Sequence, residues 1–121
     1  MRGAFMPGRS GRKDVILMTI EYKARFDEIE WDSPMEGVRH KCIDRGDSRI
    51  RLVEYSPEMP PHWCEKGHQG YVVEGEMEIE FEDTRTVFGP GDVILIPDGP
   101  EHKHRARVPS GRALVFLVER V

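Results

Sequence analysis

The sequence predicts an all-β fold, a sandwich or barrel of short strands in the jelly-roll class. Apolar residues recur with a period of two in short runs, Gly- and Pro-rich turns separate those runs, and helical periodicity is almost absent. A chain of 121 residues, 38% hydrophobic and 33% charged, has the size and composition of one domain. The longest apolar runs, Val93–Ile96 and residues 113–118, are far too short to cross a bilayer as a helix. No signal-peptide pattern opens the chain. Cys42 and Cys64 cannot build a disulfide framework, so a reducing, cytoplasmic setting is expected.

Residues 1–14 read as a flexible basic arm ahead of a single domain over 15–121: Arg2, Arg9, Arg12 and Lys13 precede the first acid, Asp14. The rest of the chain is then more acidic than the net charge of −4, which argues against a nucleic-acid partner. Residues 15–23 fit a strand or a helix. Residues 38–43 and 50–55 read as strands, and so do 71–74. Gly75 is then the tight turn to an antiparallel strand over 76–82, where Met77, Ile79 and Phe81 share one face and glutamates the other. Turns at 89–92 and 97–100 flank the strand Val93–Ile96, and a further strand is expected over 102–108. Residues 113–118 are apolar on both faces, which predicts a second sheet on one side and a second subunit, hence a homodimer, on the other.

The chemistry concentrates in residues 60–68, Pro-Pro-His-Trp-Cys-Glu-Lys-Gly-His. On an extended strand His62 and Cys64 point to one face, and His68 returns against them after a short turn. His102, after a Pro/Gly turn, can join them if its strand lies alongside. Inward-facing imidazoles and a thiol at this spacing point to a transition-metal site. His104 shares the His102 face on a continuous strand and is a candidate metal-site support or substrate contact. Trp63 should point away from the site. Tyr71, opposite in parity to His68, reads as core. Arg49 and Arg51 share a face and read as solvated charges rather than as a dock for an anionic substrate. Glu65 reads as an exposed turn residue.

These segments resemble the two signature motifs of the cupin family. The first motif is Gly, five residues, His-x-His, three or four residues, Glu, six residues, Gly; here Ser56, His62, Cys64, His68 and Gly75 fall on those positions. The second is Gly, five residues, Pro-x-Gly, two residues, His, three residues, Asn; here the positions hold Gly91, Pro97, Gly99, His102 and Ala106. The resemblance implies a double-stranded β-helix, that is, a jelly-roll barrel, and one divalent metal ion on His62, Cys64, His68 and His102. Cys64 stands where the motif has His and His68 where it has Glu, so a thiolate would restore the negative charge of the missing carboxylate. Thiolate with imidazole favours zinc, iron or copper over manganese, and nickel is also admitted. Four protein ligands would close a zinc site, whereas three histidines and an unbound thiol would leave a position open for catalysis.

The function expected from the resemblance is metal-dependent chemistry on a small organic molecule, of the dioxygenase, isomerase or decarboxylase type. Met77, Ile79 and Phe81 would help to shape the cavity wall. The alternative from another class is a non-enzymatic, metal-stabilised module that binds or senses a small ligand; the fold hosts both. Pairing of subunits, with exchanged N-terminal strands, also agrees with the resemblance.

Overall fold

A computed structural model describes residues 21–121. The basic arm and most of the ambiguous segment 15–23 lie outside the described residues. Among the described residues, nine strands form two antiparallel sheets. They are β1 (Asp32–Met35), β2 (Val38–Arg45), β3 (Ser48–Tyr55), β4 (His68–Glu74), β5 (Met77–Glu80), β6 (Arg85–Phe88), β7 (Val93–Ile96), β8 (Arg105–Arg107) and β9 (Ala113–Arg120). The larger sheet has the order β1-β2-β3-β9-β4-β7 and the smaller β6-β5-β8. Among the described residues, no helix is long and apolar enough to cross a membrane.

Strand alternation places the core. Val53 on β3, Val72 on β4, Ile94 and Ile96 on β7, and Ala113, Val115 and Leu117 on β9 are buried on the inner face of the larger sheet. Met77 and Ile79 of β5 meet them from the smaller sheet. The segment 76–82 behaves as its alternation requires: Met77 and Ile79 go inward, while Glu78 and Glu80 face basic residues of the flanking strands, Arg107 and Arg105. β1 and β6 were not legible in the sequence, being short strands with little alternation.

Gly75 is a turn, as expected, but β4 and β5 do not pair with each other. They lie in different sheets. Between Val72 and Glu74 the pairing with β9 slips by one residue, a bulge that bends β4 as the chain leaves the sheet. Gly75 then takes φ +79°, and a Cβ there would collide with the Arg112 carbonyl. The close backbone approach, rather than a hairpin, is what requires glycine.

Tyr71 corrects a second expectation. It does point away from His68, but that side is the outer face of the larger sheet, and Tyr71 is 46% exposed. On β9, the inward residues are covered by the smaller sheet. On the outer side, Phe26 from the chain's own 3-10 turn (Phe26–Glu28) packs edge-on against Phe116, while Val118 stays exposed.

Candidate metal centre

Along β3, β4 and β9 the inward row changes from apolar to polar at one end. On β9 it runs Ala113, Val115, Leu117 and then Glu119; on β3 it runs from Val53 to Arg51 and Arg49; β4 begins with His68. Register brings these ends together, with Arg49 opposite Glu119 and Gln69 opposite Val118. A polar floor therefore forms beside the core.

Cys64 and His104 close the site from the other side. Their backbones exchange two hydrogen bonds, Cys64 N–H to His104 O at 2.8 Å and His104 N–H to Cys64 O at 3.0 Å. Residues paired in this way project their side chains to the same face. One ligand atom from each of Cys64, His68 and His104 lies within 4.8 Å of the other two. His104, not His102, is thus the second-motif histidine that the structure brings to the cluster. The reason is local: Pro100–His102 is a 3-10 turn, so the backbone at 102 is not strand and the expected shared face of 102 and 104 does not exist. His102 contributes its backbone, accepting a hydrogen bond from His104 Nδ1 at 3.0 Å.

That bond sets the chemistry of His104. A carbonyl only accepts, so Nδ1 carries the proton and Nε2 of the neutral ring carries a lone pair. Nε2 is buried and has no partner among the described residues. Burial lowers the His104 pKa, as do the neighbouring His68 and His62, while the His102 carbonyl works the other way; the ring is held neutral. His68 is oriented in parallel fashion: its Nδ1 donates to Glu119 Oε2 at 3.1 Å, so that the carboxylate fixes the ring by that nitrogen. Imidazoles that ligate metals are commonly held by a carboxylate or carbonyl at the other nitrogen. Cys64 Sγ accepts a hydrogen bond from the Lys66 backbone N–H at 3.4 Å. The donor set fits a divalent transition metal ion.

Glu119 is the functional residue that the sequence reading missed. It is 8% exposed, and Arg51 Nε and Nη2 grip its carboxylate at 3.0 and 2.8 Å. Burial alone would raise its pKa, but the hydrogen bonds from His68 and Arg51 outweigh it and hold the group at about 2. The available signal was parity: Glu119 occupies an inward position on a strand whose other inward residues are Ala, Val and Leu. Arg51 is likewise no solvated charge. Its Nη1 also contacts His40 Nδ1 at 3.1 Å, which spends its whole fork inside the fold.

A cavity of about 300 Å³ opens in front of the cluster, with His62, Arg49, Arg51, Tyr55 and Lys66 among its lining. His62 lines it without entering the close group; it is exposed, and its Nδ1 lies 3.3 Å from the Pro60 carbonyl. Burial pushes the Tyr55 pKa up to about 12, so its hydroxyl stays protonated. Met77 and Ile79 lie in the core rather than in this lining, while the Phe81 ring lies 6.2 Å from that of His104. Trp63 points outward, as expected, under Lys103 and Arg105. Glu65 is exposed. Cys42 and Cys64 are both free thiols.

The model of the cupin domain family matches residues 51–118, which contain both motifs and the cluster. The chain belongs to the cupin family. The fold comparisons agree. An RmlC-like cupin from Shewanella frigidimarina superposes with TM-score 0.67 at 17% identity, covering 84% of this chain and 91% of that one. The polyketide cyclase RemF from Streptomyces resistomycificus gives TM-score 0.66 at 25% identity, covering 84% and 82%. KdgF from Halomonas gives TM-score 0.57 at 26% identity, covering 76% and 88%. No match was found among the curated proteins. The two antiparallel sheets agree with the cupin fold.

Proposed function

We propose that this cupin holds one divalent transition metal ion on Cys64, His68 and His104, with His62 at the rim of the same cavity, and acts with it on a small organic molecule. The observation that carries the reading is the buried, unpartnered Nε2 of His104, directed by its Nδ1 bond and set within 4.8 Å of the donors of Cys64 and His68. An unpartnered lone pair in a buried site costs free energy unless something binds it. Three close protein donors leave room for a further ligand, which supports an enzyme over a closed structural site. A bound ion of this kind supplies Lewis acidity toward a carbonyl or carboxyl oxygen.

The protein's own residues do the rest. Glu119 and the His102 carbonyl fix the two imidazoles, Arg51 fixes Glu119, and Tyr55 presents a protonated hydroxyl to the cavity. Zinc, iron and copper suit a thiolate with two imidazoles better than manganese does. The candidate chemistry is oxygenation, isomerisation or decarboxylation.

Elemental analysis of protein purified without chelator tests the reading. About one transition metal per chain is expected, falling toward zero in His104→Ala. Cobalt substitution should add a thiolate-to-metal absorption band that Cys64→Ser abolishes. No metal after reconstitution with each candidate ion would overturn the proposal, and a loaded protein that turns over no candidate substrate would favour a ligand-binding module.

A further inference from the structure

We propose that the cavity takes a small ligand with two anionic groups, one directed at the Cys64–His68–His104 centre and the second held at the mouth by Arg49 and Lys66. The inference rests on the metal-site reading for the first anchoring point and on the charge of the cavity for the second. Four cationic side chains, Arg49, Arg51, Lys66 and Arg105, line this cavity against one carboxylate, Glu119. The whole chain carries a net charge of −4, so the cationic lining runs against the balance of the molecule. A concave site lined by one sign of charge concentrates ligands of the opposite sign.

The four cations are not equivalent. Arg51 is committed to Glu119 and His40, and Arg105 is drawn toward Glu80 and the Trp63 ring, so neither has a free fork for a ligand. Arg49 differs. Its Nε and Nη2 hold Asp44 at 2.8 and 3.0 Å, but Asp44 is exposed, and the pair leaves Nη1 for another acceptor. Lys66 Nζ meets only a neutral acceptor among the described residues, the Arg120 carbonyl at 3.3 Å, so its charge is uncancelled. Both belong to the same end of β9: Arg49 lies opposite Glu119 in register, Lys66 reaches the carbonyl of residue 120, and both residues line the cavity. A carboxylate or phosphate there would meet a planar fork and a point charge together. The cavity volume of about 300 Å³ limits the ligand to a compact organic acid.

Cobalt-loaded protein titrated with malonate, and with its neutral isostere malonamide, tests the proposal by calorimetry and by the cobalt absorption bands. Malonate should bind and shift the bands, with malonamide binding at least about tenfold more weakly. Arg49→Gln and Lys66→Gln should each weaken malonate by about tenfold or more, leaving the cobalt stoichiometry and the unliganded spectrum unchanged; Arg49→Lys should recover part of the loss. Equal binding of the two probes, or malonate affinity indifferent to both glutamine variants, would overturn the dianion site. The same titration on metal-free protein separates the two readings. Failure to load cobalt sinks the metal centre, while charge-selective, Arg49-dependent binding of malonate without metal would still show the anionic subsite.

Discussion

At the scale of single residues, the site depends on a chain of support that ends in Glu119. His68 and Arg51 share its carboxylate, and Arg51 in turn meets His40. Replacing Glu119 with Gln keeps the shape but leaves the Arg51 guanidinium uncompensated in a largely buried place. A cost of about 3–5 kcal/mol is expected from breaking such a pair, together with a tenfold to hundredfold loss of metal affinity from the unsupported imidazole. Thermal melts and metal titrations of Glu119→Gln read the two effects separately. An unchanged melting temperature would mean that the triad contributes little.

The same carboxylate gives the metal-free protein an acid limit. Its pKa is held at about 2 in the folded chain against an ordinary 4.5, so the folded form favours the ionised state. The stability it contributes is complete above about pH 4.5 and is lost as pH falls toward 2, a loss of about 3 kcal/mol. His40 adds to this from higher pH. Burial first, and then Arg51, lower its pKa below 6.5, so folding resists its protonation and stability begins to decline as pH drops through that value. Urea melts between pH 8 and 3 should show stability falling in this order, and Glu119→Gln should flatten the lower part of the curve.

At the scale of elements, two backbone features set where the chemistry falls. The 3-10 turn Pro100–His102 delays the entry into β8, so the residue that pairs with Cys64 is His104. At the other end of β4, the bulge and Gly75 send the chain from the larger sheet to the smaller. Gly75→Ala combines a left-handed φ with a clash against the Arg112 carbonyl, and should destabilise the fold by roughly 1–3 kcal/mol. Gly46, also at positive φ but with open space around it, is the matched control: alanine there should cost less. Comparable losses at both positions, measured by chemical denaturation, would refute the close-approach argument.

At the scale of the whole molecule, the outer face of the larger sheet carries Tyr71, Val93, Leu95 and Val118, between 42% and 72% exposed. Register sets them side by side, Tyr71 against Val93 and Gln69 between Leu95 and Val118. Exposed apolar surface of this kind is suited to association, and the homodimer is our proposal for it. A homodimer through this face is the expected assembly. Sedimentation velocity should find a dimer for the parent chain and a monomer for Leu95→Glu; a monomeric parent would remove the expectation.

By itself, the sequence determined the fold class and the neighbourhood of the site. Alternation over 76–82 and the turns at 89–92 and 97–100 are local patterns, and the strand period of two converts the alternation directly into faces. His62 and Cys64, by contrast, were expected on one strand face but lie on chain that is not a strand, and His62 stays at the rim. The sequence also singled out Cys64 and His68, two of the three residues whose donor atoms lie within 4.8 Å of one another. Tertiary structure alone decided the remainder. Whether position 102 or 104 faces Cys64 depends on where a turn ends and a strand begins, a matter of one backbone conformation that alternation does not encode. Which side of β4 is interior depends on where the second sheet packs, and so Tyr71 is outside. The Arg51–Glu119–His68 triad joins residues up to 68 positions apart, and only strand register brings such polar groups to within 3.1 Å. Burial then makes their pairing matter, because charges removed from water must find one another.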